Sequence, residues 1–370
     1  MGLPLGLLLV LQQPIIVDGH IDTPQRMLDM KADITARLTD GHIDVPRMRE
    51  GGLTAAFFSI WVDARYARGT AFQRALDLIG AVRALADTNR DVELATTAAD
   101  VRAAVARGHI AALMGVEGGH AIENSLEKLD SLYRLGVRYM TLTWNNGNDW
   151  AGSSTDRERH GGLTSFGRQV VARMNQMGML VDVSHVSDAT FRDVLATTTR
   201  PVIASHSSCR ALAHHPRNLS DQQLRAIAEN GGVVGINFYP VFLDEHFRSQ
   251  YEEMRRRLKP QTDSIRAHYR GRPGESAFEV DKFVGQHAES LDIPTIDRLM
   301  DHIDHAVQVM GIDHVGLGSD FDGISVLPRP MKDATSLPQL IRALEGRGYS
   351  DSDVRKILGE NFLRVLTAGP

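Results

Sequence analysis

Hydrophobic residues fall along this chain in short, nearly unbroken runs. The stretches between the runs carry apolar side chains three and four positions apart. The runs, bounded by Gly, Pro or Asn, predict strands over 15–22, 53–62, 110–118, 137–144, 178–185, 201–207, 231–239 and 314–320. Unbroken rather than alternating apolar character is what a parallel strand covered on both faces requires. The intervening stretches predict amphipathic helices over 72–87, 98–107, 125–135, 164–177, 188–195, 220–229 and 295–310. Eight strand–helix units in succession predict a (β/α)8 TIM barrel, a single domain over 1–370. An open doubly wound sheet is the competing fold, but no Gly-x-Gly-x-x-Gly turn follows the first strand.

One stretch breaks the rhythm. Between the seventh and eighth predicted strands, 244–292 reads as a helical insertion carrying Arg255-Arg256-Arg257 and Arg270-Gly271-Arg272. A solvated helical addition is the first reading, and a lid over the barrel mouth is the second, because such connections emerge there. The apolar run at 3–11 is far shorter than the ~20 residues a membrane helix needs. With no basic segment before it, it is expected to pack on the barrel as a strand or arm, a trimmed leader being the alternative. Residues 365–370 carry no hydrophobic tail of the kind a lipid-anchor signal requires.

Polar residues gather where the predicted strands run out. The first ends in Asp18-Gly19-His20-Ile21-Asp22, with His20 and Asp22 two apart and so on one face of an extended segment. The third ends in Glu117, the fifth in His185, the sixth in Ser205-His206-Ser207, and the eighth in Ser319-Asp320-Phe321-Asp322. In a barrel these residues meet at the C-terminal face, where active sites of this fold are built. Burying so many polar groups without a shared task would cost several kcal/mol each, roughly.

Composition narrows what they can do. A lone cysteine, Cys209, excludes an intrachain disulfide and a cysteine-built zinc site, and no base beside it would activate it as a nucleophile. Fifteen histidines remain as candidate ligands. Lys plus Arg is 41 against 46 acidic residues, a net charge of −5 that gives no electrostatic reason for nucleic acid or an anionic membrane as partner. Three imidazoles with two or three carboxylates suit zinc or a similar divalent ion, and exceed what one tetrahedral catalytic ion can use. They suit two ions that share a carboxylate and a bridging hydroxide, with Glu117 as the bridge, His20 and Asp22 on one ion, and His185 and His206 on the other. Asp320 is then the proton shuttle of a hydrolysis, with a further metal ligand or a helix N-cap as its other readings.

The segments Asp18–Asp22, Gly115–Gly119 (GVEGG), Val183–His185 (VSH), Ser205–Asn218, Gly235–Tyr239 (GINFY) and Gly316–Gly323 (GLGSDFDG) run in one order across most of the chain. With them the sequence resembles the membrane (renal) dipeptidase family of zinc peptidases, as a bacterial-type member. The resemblance implies a (β/α)8 barrel with two zinc ions that cleaves unblocked dipeptides, often with a D-residue second, and it suggests a homodimer. It implies the same ligand set, Asp320 as acid/base, and Arg217 as the grip on the substrate carboxylate, which a planar guanidinium can hold with two hydrogen bonds. One position departs from the pattern. Where many members carry a histidine after the fourth strand, this chain has Thr143-Trp144-Asn145-Asn146. Trp144 is expected as an indole donor or pocket wall, and Asn145, or else Asn146 or Asn148, as a substitute hydrogen-bond donor to substrate.

Other candidates read as structural: His120, His214, His215, His302 and His305 as packing or surface groups, Asp322 as an anchor for its loop. A lactonase, deaminase or phosphotriesterase-like barrel is the competing enzyme, disfavoured because such barrels usually open with His-x-His where this chain has His20-x-Asp22. A non-catalytic metal-binding barrel would have no use for Asp320. One cysteine and no complete leader point to the cytoplasm, with export as the alternative if 3–11 is a trimmed leader.

Overall fold

The computed structural model describes residues 14–67, 69–157 and 160–367. The apolar run at 3–11 lies outside them. Among the described residues nine strands are formed: β1 (Val17–Ile21), β2 (Ala55–Trp61), β3 (Val92–Leu94), β4 (Ile110–Glu117), β5 (Val137–Thr141), β6 (Leu180–Asp182), β7 (Ile203–Ser207), β8 (Val233–Ile236) and β9 (Val315–Leu317). Pairing is parallel throughout. It runs β1–β2–β4–β5–β6–β7–β8–β9 and returns to β1, so eight strands close a barrel. β3, which the periodicity did not predict, pairs with Ile110–Ala112 at the start of β4, before β5 takes that edge at Met114.

Helices occupy the predicted stretches, with Ala71–Thr88, Ala98–Ala106, Ser165–Met177 and Ile296–Met310 among them. Their starts are set by side-chain caps. Thr97 with Asp100 and Ser220 with Gln223 form reciprocal capping boxes that satisfy otherwise orphaned N–H groups. Most buried apolar side chains lie between strands and helices, from Ile16 and Phe58 to Leu340 and Leu358. A second set fills the bore: Val17, Phe57, Leu113, Tyr139, Ile203 and Val233, with Phe362 of the last helix, Asn361–Thr367. A β-carbon on Gly19 would come within 2.6 Å of the Phe362 ring and 2.7 Å of the Ser205 carbonyl, so only glycine fits there. Gly115 plays the same part for Tyr139, whose ring lies 2.0 Å from where its β-carbon would stand.

Register shifts in β1, between Asp18 and Ile21, and in β7, between Ala204 and Ser207, re-aim the side chains at the barrel mouth. Between β8 and β9 the chain forms Glu245–Arg257, Lys259–His268 and Pro273–Ala288, three helices within the expected insertion. They share a small core of Phe247, Tyr251, Val280 and Val284 with Val326 beyond β9. Tyr251 Oη lies 2.7 Å from Ser325 Oγ, tying the insertion to the segment after β9.

Candidate active site

The five expected ligands converge at the C-terminal mouth. His20 stands near the end of β1, Asp22 just beyond it, Glu117 at the last position of β4, His185 after β6 and His206 within β7. Glu117 lies at the centre with its two oxygens facing different partners. Its Oε2 is 3.4 Å from His20 Nε2, while Oε1 is 2.9 Å from His185 Nε2 and 3.6 Å from His206 Nε2. Asp22 Oδ2 is 3.6 Å from His20 Nε2 on the Oε2 side. Asp320 joins this half, with one ligand atom each of His20, Asp22 and Asp320 within 4.8 Å of one another. His185 and Asp320 both adopt left-handed backbone, at φ 68° and 64°. Such strain in a non-glycine residue persists where surrounding structure enforces it, and it concentrates at functional sites.

Hydrogen bonds behind the rings decide which nitrogen faces inward. Tyr139 Oη donates to the Gly19 carbonyl at 3.1 Å and so accepts from His20 Nδ1 at 2.8 Å. Ser205 Oγ donates to Asp182 Oδ2 at 2.6 Å and so accepts from His206 Nδ1 at 2.8 Å. Asn145 Oδ1 lies 3.1 Å from His185 Nδ1. The Nδ1 protons of His20 and His206 are thereby placed at the back, and all three Nε2 atoms are turned toward Glu117. Asp18, buried beneath, accepts from the backbone N–H groups of His20 and Ser319 and joins the ends of β1 and β9.

Electrostatics split the cluster. Burial and then the Arg217 charge push His185 down to about 4, and burial with His20 and Arg217 holds His206 well below its ordinary value, so both rings are neutral. Burial opposes charge on His20, yet Tyr139, Glu117 and Asp22 raise it well above its usual value, marking a place that attracts a cation. For Glu117 burial acts upward, but His20 and His185 overcome it and hold the carboxylate below its ordinary range. Burial and then the Asp22 charge push Asp320 up to about 7, against His20 and a 2.9 Å bond from Asn237 Nδ2 to its Oδ2.

A cavity of about 410 Å³ opens onto these groups. Arg217, Trp144 and Asn145 line it, together with Phe278, Val280 and Asp281 from the insertion. Arg217 is buried; its Nη1 lies 3.4 Å from Ser207 Oγ and its Nη2 3.1 Å from the His206 carbonyl, while Nε has no partner. Among the described residues no carboxylate pairs with it, and burial pushes it down to about 10. Trp144 packs edge-on against Trp61, ring centres 5.1 Å apart. The remaining candidates are structural. His120 Nε2 bonds the Val62 carbonyl, His302 joins Cys209 N–H to the Leu243 carbonyl, and His305 pairs with Asp221. His215 accepts from the Arg217 N–H and stacks on Phe242, and Asp322 anchors Arg26, Thr23 and the His42 N–H.

The chain as a whole has known relatives. The family model for membrane dipeptidase (peptidase family M19) matches residues 8–369. The chain belongs to the membrane dipeptidase family. Dipeptidase verJ of Clonostachys rogersoniana is 34% identical over 373 residues, covering 95% of this chain and 83% of that one. A metallo peptidase from Rhodobacter sphaeroides, solved with a phosphinate mimic of the dipeptide L-Ala-D-Ala, is 28% identical with a TM-score of 0.77, over 97% of this chain and 100% of the other. The probable dipeptidase PvdM from Pseudomonas aeruginosa is 26% identical with a TM-score of 0.82, over 96% and 95%. The chain is therefore a metallo-dipeptidase by family. The donor set fits a metal: His20 Nε2 is buried with no hydrogen-bond partner, and two neutral imidazoles and three carboxylates face one another around it.

Several functional neighbours escaped the sequence reading. Tyr139 sits within an apolar strand, where a tyrosine reads as core. Asp182 and Ser205 stand beside marked histidines, and Asn237 lies within the GINFY segment, so position relative to a strand end was the available signal.

Proposed function

We propose that this chain is a zinc-dependent dipeptidase that holds two ions and hydrolyses unblocked dipeptides, L-Xaa-D-Xaa among them. The observation that carries the reading is Glu117, whose two oxygens face separate ligand sets across from the Asp320 carboxyl and a buried arginine that no carboxylate among the described residues pairs with. His20 and Asp22 would hold one ion, His185 and His206 the other, and Glu117 would touch both. The ions supply activation of water and polarisation of the scissile carbonyl.

The chain's own groups do the rest. Arg217 takes the substrate's C-terminal carboxylate, which gives its buried guanidinium the counter-charge it lacks. Asp320 stands beside His20 and Asp22 at the mouth, where it can accept the proton of the attacking water and return it to the leaving amine. Asn237 fixes one of its oxygens and leaves the other for that transfer. Trp144 and Asn145 form a wall of the substrate cavity, and the helices of 245–288 act as a lid through Phe278, Val280 and Asp281. The phosphinate complex of the Rhodobacter relative supports the L,D reading.

Amino-acid release from L,L- and L,D-dipeptides, beside their N-acetylated forms, tests this in zinc-reconstituted protein. Release is expected from unblocked dipeptides only and should vanish with a chelator. Two bound zinc ions with no release from any dipeptide would overturn it.

A further inference from the structure

The three central histidines are each supported from behind, but at different depths. Behind His20 stand Tyr139 and the Gly19 carbonyl, and behind His206 stand Ser205 and Asp182, all in the buried interior. His185 rests on Asn145, an exposed residue that also lines the substrate cavity. His185 has the greater need, since its left-handed backbone supplies no regular strand to aim the ring. Asn145 is itself held in place. Thr155 Oγ1 donates to its carbonyl at 3.0 Å and lies 3.4 Å from its Oδ1, which holds the residue beside His185. Ser153 Oγ bonds the Trp144 carbonyl at 2.7 Å, and the Ser154 N–H bonds the His185 carbonyl at 2.7 Å. The loop that carries Asn145 thus grips His185 by both backbone and ring.

We propose that Asn145 is a positioning residue. Its amide oxygen accepts the Nδ1 proton of His185, presents the Nε2 lone pair beside Glu117 Oε1 and His206 Nε2, and so sets the affinity of one of the two metal positions. This rests on the two-metal reading above. It gives the side-chain oxygen a task at a metal ligand, while the cavity wall keeps the rest of the residue. Partners that orient a ligating histidine change metal affinity by about 10–100-fold when removed. The His20 position, supported by Tyr139, should not respond.

The test is zinc titration of the metal-free chain in competition with a chromophoric chelator, for wild type, Asn145→Ala and Asn145→Asp. Wild type should take up two ions. Asn145→Ala should weaken one binding event by about 10–100-fold and leave the other unchanged. Asn145→Asp, which keeps an oxygen acceptor, should restore most of the loss. Equal melting temperatures of the metal-free variants would separate this effect from general damage to the loop. Two ions bound by Asn145→Ala with unchanged affinities would overturn the assignment alone, as would equal weakening of both events. A wild-type chain that binds a single ion would overturn the two-metal reading and the proposal with it.

Discussion

Replacing Asp320 with asparagine should abolish turnover and, in the metal-free chain, make the protein more stable. A carboxyl whose value is raised by burial favours the folded state only while protonated. That contribution is complete below the unfolded value of 3.8 and is lost as pH climbs through about 7. A rise of that size, at ~1.36 kcal/mol per pH unit, corresponds to roughly 4 kcal/mol, an upper bound because Asp22 contributes to the rise. Asparagine matches the protonated acid in shape and charge and can still accept from Asn237. Above pH 7 Asp320→Asn should therefore exceed wild type by about 2–4 kcal/mol, whereas near pH 4 the two should agree within ~0.5 kcal/mol. Urea unfolding midpoints in excess chelator at pH 4 and pH 8 measure the difference, and kcat on a dipeptide should fall by about 10²–10⁴-fold. Equal midpoints at pH 8 would refute the electrostatic reasoning. Retained turnover would refute the acid/base assignment.

Two further outcomes follow from the same geometry. Arg217→Met should lower kcat/KM by about 10–100-fold for dipeptides with a free carboxylate, from loss of a charged hydrogen bond. C-terminally amidated dipeptides should show little change, and equal loss on both would sink the carboxylate grip. Tyr139→Phe removes the buried partner of His20 Nδ1 and one donor to the Gly19 carbonyl, which should cost about 1–3 kcal/mol in urea unfolding.

The barrel and the meeting of His20, Asp22, Glu117, His185 and His206 at its mouth were legible because both leave marks a linear chain can carry. An apolar run that ends in a histidine or carboxylate announces a strand aimed at a functional face, as with Glu117 at the end of β4 and Asp320 after β9. Tyr139 carries no such mark. Its hydroxyl becomes informative only when β5 is laid across the bore from β1, a contact 119 positions apart in sequence. Asn145 drew notice only as a donor to substrate; the path of its loop past β6, which brings its side chain to His185, leaves no mark in the sequence. β3 is three residues long, too short for any periodicity to register. Nothing in the pattern of Asn361–Thr367 told that Phe362 enters the bore rather than the outer layer.

That last placement bears on how the molecule is made. The aromatic ring that touches Gly19 and Gly316 from below belongs to a segment translated after all nine strands. Until it is synthesised, the barrel has no stopper under its first and last strands. A nascent chain halted before residue 362 would carry every ligand and still lack the floor on which they stand.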